Sequence, residues 1–104
     1  MAQPVQIYLG APQINKLPVY EVQAGRQVTV KQMIFTNTEA ADAKITVTVN
    51  TVDIMKDFIV KAGETKVIDV SIVLNQSDRL SLQQEKSNAI NVMLNGLSEQ
   101  LMPY

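Results

Sequence analysis

The chain of 104 residues contains no cysteine, no histidine and no tryptophan. Without Cys there are no disulfides and no thiolate chemistry. Without His the commonest general base is gone, and with Cys also missing so are the commonest zinc ligands. Neither a Ser-His-Asp nor a Cys-His site can be assembled. Aromatic residues make up only 5% of the chain, so the core must come from Val, Ile, Leu and Met. The four glycines, Gly10, Gly25, Gly63 and Gly96, are isolated, which rules out a phosphate-cradling Gly-rich loop.

Neither sign of charge is in clear excess. Nine basic and ten acidic residues are scattered singly, for a net charge of -1. No stripe of Lys and Arg marks a nucleic-acid binder, and no polybasic patch suits an anionic membrane. Neither nucleic acid nor membrane is therefore expected as a partner. The first residues, Met-Ala-Gln-Pro-Val-Gln, lack the basic start and apolar run of a signal peptide. No stretch reaches membrane-spanning length, and the chain reads as one made in the cytoplasm. Asp53 and Asp57 lie four apart, and Asp69 and Asp78 flank a turn. We read them as solvated, since no Asp-x-Asp-x-Asp loop or pocket signal accompanies them. No catalytic residue, metal ligand or cofactor site is assigned, and the chain is not expected to be an enzyme.

What is present is β chemistry. Residues 43–50 alternate strictly, with Ile45, Val47 and Val49 on one face and Lys44, Thr46 and Thr48 on the other. A strand buried on one side has this period of two, and a helix does not. Residues 66–74 repeat it through Ile68, Val70, Ile72 and Leu74, and residues 88–97 through Ile90, Val92 and Leu94. Residues 27–38 begin in phase at Val28 and Val30, then blur at Met33-Ile34-Phe35, as a bulge or a strand crossing between sheets would. Weaker strands are expected at 4–9, 18–23, 54–60 and 79–84. Gln83-Gln84-Glu85-Lys86 are good helix formers, so a short helix within 80–94 is the alternative to strand, loop, strand.

Turn chemistry separates these runs: Gly25, Gly63, Asn75, Asp78 and Gly96 are the expected turn-forming residues. The expected fold is all-β: an antiparallel sandwich or jelly-roll-like domain of about 7–8 strands, occupying residues 1–104 as one unit. Residues 1–17 and 98–104 read as extended N- and C-terminal arms that can lie on a neighbouring subunit. Met33, Met55 and Met93 fall on or near otherwise polar faces. As core residues they would be gap-fillers; as surface residues they would, with the apolar terminus Leu101, Met102 and Tyr104, be the candidate interface residues.

The order of these features carries a resemblance. Val19-Tyr-x-Val-x-Ala-Gly25 precedes a strand ending in Thr36-Asn-Thr38. A small-residue bend at 40–43 leads into the Thr/Val strand. Val60-Lys-Ala-Gly-Glu-Thr65 leads into a strand containing Val73-Leu-Asn-x-x-Asp78, then Leu80-Ser-Leu82 and a last strand ending at Asn95-Gly96-Leu97. Residues 17–99 thus resemble small β-sandwich virion proteins of tailed bacteriophages. The resemblance implies a non-enzymatic virion component, in capsid decoration, tail or fibre. It would assemble in the host cytoplasm as a homo-oligomer, with a trimer favoured, alongside other virion proteins. The competing expectation is a carbohydrate- or receptor-binding sandwich.

Overall fold

A computed structural model describes residues 2–12, 15–85 and 89–100. Eight strands account for most of them: β1 (Ala2–Gly10), β2 (Leu17–Glu21), β3 (Arg26–Asn37), β4 (Ala43–Val49), β5 (Val52–Val60), β6 (Thr65–Leu74), β7 (Arg79–Gln84) and β8 (Ile90–Gln100). The alternating stretches become β4, β6 and β8, and the weaker strand expected at 4–9 is β1, which takes up much of the N-terminal segment. The helix-forming stretch resolves as strand up to Gln84, with strand resuming at Ile90. No helix long and apolar enough to cross a membrane occurs among the described residues.

The strands form two antiparallel sheets, sheet A in the order β1-β8-β3-β6 and sheet B in the order β2-β7-β4-β5. The pairs β1–β8, β2–β7, β3–β6 and β4–β5 nest inside one another. The chain is therefore one long antiparallel hairpin, with its apex at Asn50–Thr51, rolled so that alternate pairs fall in opposite sheets. The β3–β8 and β4–β7 ladders join these pairs into continuous sheets. This is jelly-roll wiring. It closes because each inner face offers apolar residues at every second position: Val28, Val30, Phe35, Val92 and Leu94 from sheet A meet Ile45, Val47, Leu80 and Leu82 from sheet B. The Phe35 and Phe58 rings pack 5.8 Å apart and hold β5 against β3.

The blurred phase in β3 is a bulge. Lys31 is an extra residue against β8, which steps directly from Gly96 to Asn95. The slip returns Met33 and Phe35 to the core side, where both are buried. Met33 is thus a core residue and not the interface residue expected from an unbroken alternation. Gly96 also departs from expectation, lying mid-strand in β8 between Val5 of β1 and Val30 of β3. A Cβ at Gly96 would overlap the Thr29 carbonyl oxygen and stand 2.9 Å from Ile7 Cδ1. This glycine is set by close backbone approach. Gly25 and Gly63 occupy turns at φ of 80° and 69°, where L-residues are strained.

Two buried amides fasten the ends of the roll. Asn37 Nδ2 donates to the carbonyls of Ala41 and Val60, both at 2.9 Å. Gln84 Nε2 donates to Pro12 O at 2.9 Å and Ile90 O at 2.7 Å, and its Oε1 accepts from Ile90 N–H at 2.9 Å. One core side chain thereby pins the crossing before β2 to the start of β8, satisfying backbone groups that burial would otherwise leave unpaired.

Candidate functional site

The core is sealed in the middle and open along both sides. The inner strands β8, β3, β7 and β4 supply most of the fully buried apolar residues. The partly buried ones that pack on them come from the edge strands: Val5 and Tyr8 of β1, Val19 and Tyr20 of β2, Met55 and Phe58 of β5, and Ile68, Val70 and Ile72 of β6, with Val49 at the end of β4. The β1 and β2 edges share one lateral side, because β1 lies against β2 across the sandwich. The Phe35–Phe58 contact puts β5 and β6 on the other. Each side therefore exposes a seam of core residues that the domain itself does not cover.

The two seams differ. Between β1 and β2 lies an apolar groove of about 380 Å³, lined by Tyr8, Ala11, Pro12, Leu17, Pro18, Val19 and Leu82. Burial there pushes the Tyr8 phenol above its ordinary pKa. On the opposite side, β5 adds the exposed Val52 and Ile54, while the exposed Val67 and Val73 of β6 alternate with the core-facing Ile68, Val70 and Ile72 and so lie on the outer face of sheet A. Met55, expected at an interface, faces the core from this edge and is half-buried. Met93 points outward from sheet A. The pairings Leu9↔Met93, Met93↔Ile34 and Ile34↔Val67 align it in an apolar row across all four strands. Leu101, Met102 and Tyr104 lie outside the described residues. A period-two pattern shows which residues face inward, and the seams went unrecognised because it does not show which strands are edges.

The carboxylates do not converge. Asp53 and Asp57 belong to β5, Asp69 to β6, and Asp78 to the turn before β7. Among the described residues no group of three or more such ligands could hold a metal. A hollow of about 310 Å³ on the outside of sheet B brings together Lys16, Lys44 and Lys56 with Asp53, Asp57 and Glu85. Its charges balance, and Lys16 is bound to Asp53 Oδ1 at 2.9 Å. The Lys16 ammonium, and then the Thr48 hydroxyl, hold the Asp53 carboxyl below its usual value. Nothing in this hollow favours an ion of either sign.

No family model matches the chain, and no curated protein matches it in sequence. Among solved structures, the fold is similar to the Drosophila NLP core, a crystal structure described as giving insight into pentamer formation and histone binding. The match covers 92% of this chain and 100% of that one, with a TM-score of 0.58 and 16% identity. At that identity the likeness establishes the fold alone.

This finding overturns the expected place among phage virion proteins. The solved Drosophila protein with a similar fold is described in terms of pentamer formation and histone binding, and is not a capsid, tail or fibre component. The virion location, the virion partners and the preference for a trimer fall with it, as does the sugar- or receptor-binding alternative. The physical reason lies in the residues that carried the resemblance. Gly25 and Gly63 serve positive φ, and Asp78 Oδ2 caps the turn by accepting from Asn75 N–H at 2.9 Å. Any eight-stranded roll needs such turns, and they carry no information about function.

Proposed function

We propose that the chain is a non-enzymatic assembly module that closes into a ring of identical subunits through its two lateral sides. The observation that carries this reading is the pair of open seams. Core residues on the edge strands stay partly wet in the single chain, and covering apolar surface contributes about 25 cal/mol per Å². A two-fold dimer covers one side of each subunit, whereas a ring covers both. The Drosophila NLP core, with the same fold, is described as forming pentamers, so five is the stoichiometry to expect.

Histone binding is not carried over. Ten acidic residues against nine basic ones leave a net charge of -1. Glu21, Asp53, Glu64 and Glu85 are already engaged by lysines or an arginine of the same chain. The near-balance of charge gives the chain no net acidic field to draw in a strongly basic partner.

Light scattering coupled to size exclusion tests the ring. The expected mass is five times that of the 11.5 kDa chain, unchanged on tenfold dilution from ~100 μM, a range in which a stable interface stays occupied. A particle of one chain's mass throughout that range overturns the proposal.

A further inference from the structure

The way neighbouring copies join, which rests on the ring reading above, is written in the edges themselves. All four edge strands carry extra residues relative to their partners. Ile7 is inserted in β1 and Val19 in β2, while β6 places Val70 and Ser71 opposite the single Lys31. β5 has two such sites, Ile54 and the pair Lys56–Asp57 opposite Thr46. The second is locked by Asp57 at φ 52°, whose N–H donates to Thr46 Oγ1 at 3.1 Å. Bulges break the even spacing of backbone donors and acceptors and twist an edge away from a would-be partner strand. The joint is therefore made by side chains and not by strand addition.

The two sides are also unlike in shape. One is the groove of Tyr8, Leu17 and Val19 between β1 and β2. The other carries Ile54 on a bulge, 44% exposed, backed by the half-buried Met55 and Phe58. The groove lies on one side and the exposed Ile54 on the other, and a two-fold contact of either side with itself would leave the other uncovered. Contact of one side with the other covers both, which is the head-to-tail condition for a closed ring. Area permits this as well. The longest extent of 53 Å and the shortest of 18 Å bound a side at on the order of 950 Å², which leaves room for the ~800 Å² per partner of a stable interface. We infer that the Ile54-bearing β5 edge of one copy seats in the Tyr8–Leu17 groove of the next.

The absence of cysteine makes the test direct. Leu17 and Ile54 are both exposed in the single chain, at 48% and 44%, so substitution leaves the fold intact. Treated with a short bismaleimide, the Leu17→Cys, Ile54→Cys double variant should give a ladder of covalently linked chains. Each single variant alone should stay uncoupled, and a mixture of the two singles should stop at two chains. A second measurement needs no reagent. Leu17→Glu spoils the groove and Ile54→Glu spoils the β5 edge, so each alone should fall to one chain's mass. Mixed together, the intact β5 edge of the first meets the intact groove of the second, and the mass should double. Self-coupling of Ile54→Cys, or no doubling in the mixture, overturns the head-to-tail joint while the unmodified protein still shows the ring's mass. One chain's mass for the unmodified protein overturns the ring and the joint together.

Discussion

Asn50 and Asp78 clasp one end of the roll. Asn50 Nδ2 donates to Asp78 Oδ1 at 3.1 Å, while Asn50 Oδ1 accepts from Arg79 N–H at 3.0 Å. The Asn50 backbone N–H donates to Arg79 O at 2.8 Å. The apex of the long hairpin is thereby tied to the β6–β7 turn, 28 residues away in sequence. Asn50 sits at φ 57°, a conformation Asn tolerates better than most residues. Asn50→Ala removes two side-chain hydrogen bonds and adds backbone strain, and should lower stability by about 2–3 kcal/mol. Asn50→Gly relieves the strain and should lose less. Urea unfolding curves of the two variants check the order.

Acid should loosen the same clasp. The Asn50 amide, and then the Asn75 backbone N–H, hold the Asp78 carboxyl below its ordinary value of 3.8, as Lys16 and Thr48 do for Asp53. A carboxyl lowered in the folded state takes up its proton first in the unfolded chain. Its stabilisation is therefore present above the unfolded value and is lost as pH falls through the lowered folded value. The urea midpoint should hold between about pH 5 and 7 and drop below about pH 4. The drop should be shallower in Asp78→Asn and Asp53→Asn. An acid profile identical in all three proteins would count against these contacts.

Gly96→Ala should be among the most damaging single changes. The added Cβ meets the Thr29 carbonyl oxygen across the β3–β8 ladder, and backbone has no rotamer with which to give way. We expect a loss of about 3 kcal/mol or more. Gly25→Ala, with open space around the new atom but φ at 80°, should lose only about 1–2 kcal/mol. Thermal melts of the two variants separate crowding from backbone strain.

Gln84 is 1% exposed and makes three hydrogen bonds to buried main chain. Gln84→Leu keeps the volume and strands the Pro12 carbonyl and both Ile90 groups, so it should destabilise by about 2–4 kcal/mol. Hydrogen exchange should speed up at Ile90 N–H before it does elsewhere in β8. A fully protected Ile90 amide in the variant would show that the amide contact carries little.

The eight strands were legible one by one. Ile45, Val47 and Val49 could bury one face only as a strand, and the breaks at Ala24-Gly25 and Ala62-Gly63 could only be turns, because side-chain period and φ preference are local properties of the chain. The missing Cys and His likewise excluded whole chemistries without reference to any fold. Met33 was misplaced because the Lys31 bulge shifts phase, and a bulge is set by the partner strand β8. Gly96 was misread for a related reason: the Thr29 carbonyl that requires it lies 67 residues earlier in the chain. The nested pairing, and with it the identity of β1, β2, β5 and β6 as edges, was decided by tertiary structure. Which strand is left without a neighbour depends on contacts between distant segments, and the two open seams exist only once those contacts have formed.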